Sequence, residues 1–370
     1  MKIEAVGIVG AETLGIGLAE AMLLTGRQVR IYDVFKGSLK TALAKLDWAL
    51  TSSGRRELLP NLEIVQDISK LSGADIIIET ATRDEDERVK FFEKLGETVQ
   101  PSCVVAASAG IIPVTPLAAA FPNPGRFVGF HFLEPVRKSR LVELIRTEQT
   151  GDDVLETCIN FIGSLEKTPI TVKDNPGAMV ERLLRPFILN GMRLLETGKG
   201  LPHEIDGAVR KIGGLPLGPL ETADLLGLDR DLASSRSVYD ALGRPDRLAP
   251  ANVGNRLTQY GHLGKKTTAG FYLYEDGEIV GENPALQGIV KYLGLKSMPP
   301  EEVFGKVMRP VIEEARFLAS EVMASELEIE TTAKLGLGWP KGPFAFLRER
   351  EALLGRESGQ PASEWSGFDA

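Results

Sequence analysis

Cysteine is nearly absent. Cys103 and Cys158 are the only two in 370 residues, which excludes a disulfide framework and a cysteine-rich zinc site and fits reducing cytosol. Basic charge is also short: 43 Lys and Arg face 51 Asp and Glu, so no positive field covers the surface to attract nucleic acid or anionic lipid. The longest uncharged run, Val99 to Gly125, is interrupted by Pro101, Pro113, Pro116, Pro122 and Pro124, which would break a membrane-spanning helix repeatedly. The opening residues read as a strand, Ile3 to Val9, and not as a secretory signal. A cytoplasmic protein without nucleic-acid or membrane partners is expected. Histidine is scarce too, so an imidazole acid or base must be His131, His203 or His262.

What is present suits a multidomain globular chain. Hydrophobic residues make up 43%, enough for real cores, and the length predicts two or three domains at roughly 100–200 residues each. In the first half, short β-rich runs alternate with helical patterns: Ala5 to Val9, Val29 to Tyr32, Ile76 to Ile78, Val104 to Ala107, Phe127 to Phe130 and Leu141 to Ile145. That rhythm predicts a Rossmann-like, doubly wound α/β sheet of parallel strands. The turn cluster Lys173-Asp174-Asn175-Pro176-Gly177 closes this domain, assigned to residues 1–177, and a long helical pattern from Met179 to Leu195 follows.

The second half repeats itself at one constant spacing. Arg185-Pro186 recurs as Arg309-Pro310, Glu204-Ile205-Asp206 as Glu328-Ile329-Glu330, and Leu215-Pro216-Leu217-Gly218-Pro219 as Trp339-Pro340-Lys341-Gly342-Pro343. Shared proline and glycine punctuation points to a duplicated helical unit rather than to convergence by composition. The C-terminal region is therefore expected to be all-helical, with a first copy over 178–298 and a partial second copy over 299–370. Two such copies would pack as an internal pseudo-dimer, or the chain would form a homodimer.

Gly10-Ala11-Glu12-Thr13-Leu14-Gly15 follows a strand and opens a helix, and Asp33 ends the next strand, as a dinucleotide site requires. Asp33 would pair with a ribose 2′-hydroxyl and repel a 2′-phosphate, favouring NAD over NADP. Glu12 stands where a middle glycine would let the backbone approach the pyrophosphate. A tight turn that no longer binds a nucleotide is the other reading of this loop.

His203 at a polar helix start and His262 in a glycine-flanked loop read as surface residues. His131 follows the apolar strand Phe127 to Phe130, and Glu143 lies within the next, where a carboxylate among apolar neighbours needs a partner. Adjacent strands would let Glu143 orient the imidazole while His131 exchanges a proton with substrate. By periodicity alone, a structural His–Glu pair is preferred.

With these residues in view, the chain resembles the 3-hydroxyacyl-CoA dehydrogenase family over nearly its whole length. The resemblance rests on Gly10 to Gly15 with Asp33, on Gly129-Phe130-His131-Phe132 followed by Glu143, and on Lys173 to Gly177. Gly213 to Pro219, Gly264-Lys265-Lys266 and Gly270-Phe271-Tyr272 agree with it. It implies NAD-dependent oxidation of an (S)-3-hydroxyacyl-CoA to the 3-oxoacyl-CoA, or the reverse, as in fatty acid β-oxidation. The cleft would lie between the two domains, with His131 as general base and Glu143 as its orienting carboxylate.

The chain departs from the family pattern around that site. Where the family has a substrate-contacting serine, this chain has Gly110, with Ser108 a partial substitute. Two family asparagines are replaced by Glu134 and Glu181, and a glutamate on the nicotinamide side by Arg83, while Arg88 keeps a basic position. The loop Arg137-Lys138-Ser139-Arg140 is more basic than expected and reads either as a solvated turn or as a receiver for an anionic group of the substrate. The alternative function is a non-catalytic homologue, a binding or assembly subunit with impaired NAD binding. A hydroxyacid dehydrogenase with a lysine base fits less well, because the long helix lacks that lysine.

Overall fold

Valine, isoleucine and phenylalanine fill the strands because β-branched and aromatic side chains suit a buried pleated surface. The structure is a computed structural model that describes residues 1–81, 85–291, 297–321 and 324–349. Two compact units, residues 1–179 and 180–370, make up the chain.

The first unit holds one eight-stranded sheet: β1 (Ala5–Val9), β2 (Gln28–Tyr32), β3 (Leu62–Val65), β4 (Ile76–Glu79), β5 (Val104–Ser108), β6 (Phe127–Phe132), β7 (Leu141–Arg146) and β8 (Thr168–Lys173). Their order is β3-β2-β1-β4-β5-β6-β7-β8. Helices α1 (Thr13–Leu24), α2 (Lys36–Ser52), α3 (Glu85–Thr98), α4 (Thr115–Ala120) and α5 (Asp152–Gly163) connect the strands. Alternation divides the core: Ile76, Ile78, Val104 and Ala106 join one apolar cluster, and Ile77, Val105 and Ala107 join another. Both faces are thus covered, which is why these strands read as continuous apolar runs.

Two features depart from the sequence expectation. β3 was not expected, because Leu-Glu-Ile-Val is only four residues long, is interrupted by the exposed Glu63 and lies at the sheet edge. The sheet is also not wholly parallel, since β6 and β7 pair antiparallel. Residues 133–140 join these two strands and are too few for a parallel crossover, which needs about a dozen residues or more.

The Lys173 to Gly177 turn is a clamp. Asp174 accepts from the amides of Val114 and Thr115 at 2.9 and 2.7 Å, and the Gly177 amide donates to the Ile111 carbonyl at 3.1 Å. The turn therefore holds residues 111–115, immediately after Gly110.

The second unit contains α6 (Val180–Glu196), α7 (Pro202–Gly213), α8 (Pro219–Leu226), α9 (Leu228–Ala241), α10 (Asn252–Gln259), α11 (Leu286–Ile289), α12 (Pro300–Ser320) and α13 (Glu326–Gly336). It is not purely helical, because β9 (Tyr272–Glu275) and β10 (Glu278–Glu282) form a hairpin. Asp276 and Gly277 turn it with φ of +49° and +85°, and this Asp-Gly between alternating residues was the legible signal.

The sequence repeat recurs here as hydrogen bonding. Glu204 accepts from the Leu201 amide at 2.8 Å, and Glu328 from the Ser325 amide at 2.7 Å. Asp206 on α7 takes the amides of Leu220 and Glu221 at the start of α8, while Glu330 on α13 takes those of Phe344 and Ala345 at the start of the helix over 343–349. Each copy thus uses one carboxylate to satisfy the orphan amides of the next helix. A Cβ added at Gly218 would collide with the Asp206 carboxylate. Gly218→Ala is expected to cost about 2 kcal/mol, the usual scale of overpacking, read as a lower urea midpoint. An unchanged midpoint would mean that Asp206 does not hold the cap rigidly.

Candidate active site

The antiparallel register of β6 and β7 sets His131 directly opposite Glu143. Residues paired in this way project from the same face of the sheet. Imidazole Nδ1 lies 2.5 Å from Glu143 Oε2, and the other carboxylate oxygen, Oε1, accepts from the Met179 amide at 2.8 Å. Glu143 is fully buried, whereas the His131 side chain keeps 15% exposure. A carboxylate held at both oxygens cannot swing away, so it favours the Nδ1–H tautomer of the imidazole.

Gly110 packs on this imidazole. Its φ is +119°, and a Cβ there would lie 2.6 Å from Cγ and Cδ2 of His131. Ser108 closes β5 in register with Phe130, and the Ala109 amide donates to the Phe130 carbonyl at 3.0 Å. The Ser108–Gly110 segment therefore runs along the strand that carries the histidine.

At the carboxyl end of β1, Gly10 has φ +109°, where a Cβ would strike Thr80 and Ala81. A Cβ at Gly15 would overlap the Gly10 carbonyl. Both glycines are required for this tight entry into α1. Thr13, Leu14 and Gly15 occupy the first turn, whose amides have no intrahelical acceptor and are suited to phosphate. Glu12 caps that turn with φ −89° and ψ −169°, extended backbone that any residue adopts, and its side chain is exposed. The loop is therefore unstrained by the missing glycine. Asp33, 8% exposed at the end of β2, accepts from the amides of Ala11 at 2.9 Å and Phe35 at 2.8 Å. Each carboxylate oxygen retains capacity for a second donor such as a ribose hydroxyl. Cradle and carboxylate together fit a dinucleotide.

The remaining candidates are distributed unevenly. Arg88 is turned onto the strand ends: it donates to Glu79 Oε2 at 2.8 Å and to the Ser108 carbonyl at 2.7 Å, and both side chains of the pair are buried. Glu79 escaped the sequence reading, although a carboxylate closing the apolar strand Ile76–Glu79 was the available signal. Arg83 lies outside the described residues. Glu134 is exposed in the β6–β7 loop and lines a cavity with Thr13, Ile16 and Gly17. Glu181 belongs to the second unit, where its carboxylate meets Arg185 Nε at 2.9 Å. Burial pushes the thiols of Cys103 and Cys158 up to about 12, so neither is a nucleophile. Among the described residues, no cluster of His, Cys, Asp and Glu could hold a metal ion.

Residues 5–175 match the family model for the 3-hydroxyacyl-CoA dehydrogenase NAD binding domain, and residues 177–274 match that for the 3-hydroxyacyl-CoA dehydrogenase C-terminal domain. The 3-hydroxybutyryl-CoA dehydrogenase of Bradyrhizobium diazoefficiens is 33% identical over 287 residues, spanning 75% of this chain and 98% of that relative. The 3-hydroxyadipyl-CoA dehydrogenase of Escherichia coli is 33% identical over 281 residues, spanning 74% of this chain and 59% of that protein. The crystal structure of 3-hydroxybutyryl-CoA dehydrogenase from Escherichia coli K12 superposes with a TM-score of 0.85 at 25% identity, covering 98% of this chain and 97% of the other. With both family domains matched in order along one chain, this protein belongs to the 3-hydroxyacyl-CoA dehydrogenase family.

Proposed function

We propose that this protein oxidises a 3-hydroxyacyl-CoA to the 3-oxoacyl-CoA, or runs the reverse reduction, with His131 as the acid/base. The observation that carries this reading is the buried Glu143 carboxylate on imidazole Nδ1, which prepares Nε2 to take the proton of the substrate 3-hydroxyl. NAD, when bound, supplies the acceptor for the hydride that leaves C3. Glu143 stabilises the imidazolium formed as His131 takes the proton, and the Met179 amide keeps that carboxylate from turning. In the reverse direction the same Nε2 returns the proton to the 3-oxo oxygen. Nothing in the geometry or the comparisons favours the non-catalytic alternative.

Substrate contact by Ser108 and Glu134 belongs to this proposal, as does phosphate binding at Thr13 to Gly15. A homodimer or an internal pseudo-dimer of the two helical copies, divided at residue 298, is proposed from the repeated capping pattern. A cytoplasmic location is proposed from the two buried, unpaired thiols. No helix among the described residues is long and apolar enough to cross a membrane.

The test is calorimetric NADH binding by the native protein and by Glu12→Gly at one salt concentration, followed by turnover of acetoacetyl-CoA. A carboxylate about 5 Å from a phosphate costs roughly 3 kcal/mol at an effective dielectric of about 20, but under about 1 kcal/mol in water. Glu12 is exposed, which places it toward the lower figure. Glu12→Gly is therefore expected to tighten NADH by about three- to tenfold. Equal affinity would show that Glu12 points away from the phosphates. No binding by either protein would sink the dehydrogenase reading.

A further inference from the structure

Lys167 lies between α5 and β8, only 9% exposed, with its ammonium inside the first unit. Its Nζ donates to two carbonyl oxygens of the β6–β7 loop, Val136 at 2.5 Å and Ser139 at 2.6 Å. Burial pushes the ammonium below its ordinary range, a cost that the two carbonyl acceptors offset. The loop so held joins the strand of His131 to the strand of Glu143. It also borders α1: a Cβ on Gly17 would come within 3.1 Å of Val136 Cγ2, so Val136 rests on the helix just after the glycine loop. Thr13, Ile16, Gly17 and Glu20 on one side and Glu134 to Lys138 on the other line an open cavity of about 620 Å³. The buried Lys167 cation, together with the 2.9 Å Arg137–Glu20 ion pair to α1, therefore holds the wall that faces the start of α1.

We propose that Lys167 is a positioning residue for the dinucleotide: it holds the 133–140 loop in the arrangement that receives NADH beside α1, without taking part in the proton transfer at His131. This rests on the dehydrogenase reading above. Without the ammonium, Val136 and Ser139 lose their shared donor, and the loop samples arrangements that no longer line the cavity. Apparent affinity falls in proportion to the fraction of molecules that keep the competent one, so one-tenth occupancy means about a tenfold loss. His131 and Glu143 are fixed by strand pairing and by the Met179 amide, so chemistry at saturation should persist.

The experiment compares the native protein with Lys167→Met and Lys167→Arg. Calorimetry should show the NADH dissociation constant about tenfold higher in Lys167→Met, with kcat at saturating NADH within about threefold of native. Lys167→Arg, which keeps a buried cation able to reach both carbonyls, should recover affinity to within about threefold. Without NADH, the amides of Lys138 and Ser139, which donate to the Pro135 carbonyl at 2.9 and 3.1 Å, should exchange hydrogen faster in Lys167→Met. Native affinity in Lys167→Met, or a loss confined to kcat, would overturn the proposal. If that variant does not fold, Lys167→Gln takes its place, since its neutral amide removes the buried cation while keeping a polar donor: weaker NADH binding supports the proposal and unchanged binding overturns it. A native protein that fails to bind NADH would remove the dehydrogenase reading and this inference together, whereas equal binding by native and Lys167→Met removes the inference alone.

Discussion

His131→Ala is expected to lower kcat by about 100- to 10,000-fold, the range over which a positioned general base contributes, while the NADH dissociation constant stays within about threefold. The separation follows from geometry. His131 lies on β6, whereas the glycine cradle is built on β1 and α1, so loss of the imidazole leaves the cradle's packing untouched. Glu143→Gln is the sharper variant, because it preserves volume at a fully buried position. Glu143 accepts from two donors, imidazole Nδ1 and the Met179 amide, and a glutamine has only one acceptor oxygen for them. Either the Met179 amide loses its acceptor or the imidazole meets an NH₂ group that reverses its tautomer, and both outcomes reduce turnover steeply. Steady-state rates with acetoacetyl-CoA and NADH measure it. A His131→Ala enzyme with native kcat would exclude the histidine as base, and a fully active Glu143→Gln would reduce the pair to packing.

How far the sequence alone reaches differs from residue to residue. The apolar strands were legible because both sheet faces are buried, so Ile76 to Ile78 and Val104 to Ala107 carry no polar interruption. The cradle was legible because Gly10 and Gly15 occupy backbone positions that no other residue fits. His131 and Glu143 were candidates through their placement on consecutive strands, but periodicity could not supply the antiparallel reversal that sets them opposite each other. That information lies in the short connection between them and in the pairing of β6 with β7. Glu79 and Lys167 stayed hidden for a related reason. Each is a charge whose partners come from elsewhere in the chain, Arg88 for one and two loop carbonyls for the other, and no local pattern announces such a contact. The helical repeat was legible through Pro186 and Pro310, yet its meaning became physical only when Asp206 and Glu330 proved to cap equivalent helices.

Gly110→Ser, which puts back the serine implied by resemblance, is expected to lower kcat by about 10- to 100-fold rather than raise it. The backbone at Gly110 has φ +119°, a conformation that L side chains rarely adopt, and the new Cβ would lie 2.6 to 2.7 Å from Cγ, Cδ2 and Nδ1 of His131. Contacts that close force either the ring or the segment to move. The segment is poorly free to do so, because the Gly177 amide holds Ile111 and Asp174 holds Val114 and Thr115. The ring therefore yields, and its Nδ1 contact with Glu143 is what suffers. Displacement of a catalytic group by about 1 Å can cost about 100-fold, which sets the upper end of the expected loss. Gly110→Ala separates the causes, since it adds the same Cβ without a hydroxyl: an equal loss in both variants assigns the effect to the crowded imidazole. If Gly110→Ser is more active than native while Gly110→Ala is not, the segment has relaxed and the hydroxyl contacts substrate as the resemblance implies. Ser108→Ala in the native background then measures what the neighbouring hydroxyl supplies, and a loss smaller than that of Gly110→Ser is expected because no backbone or ring has to move.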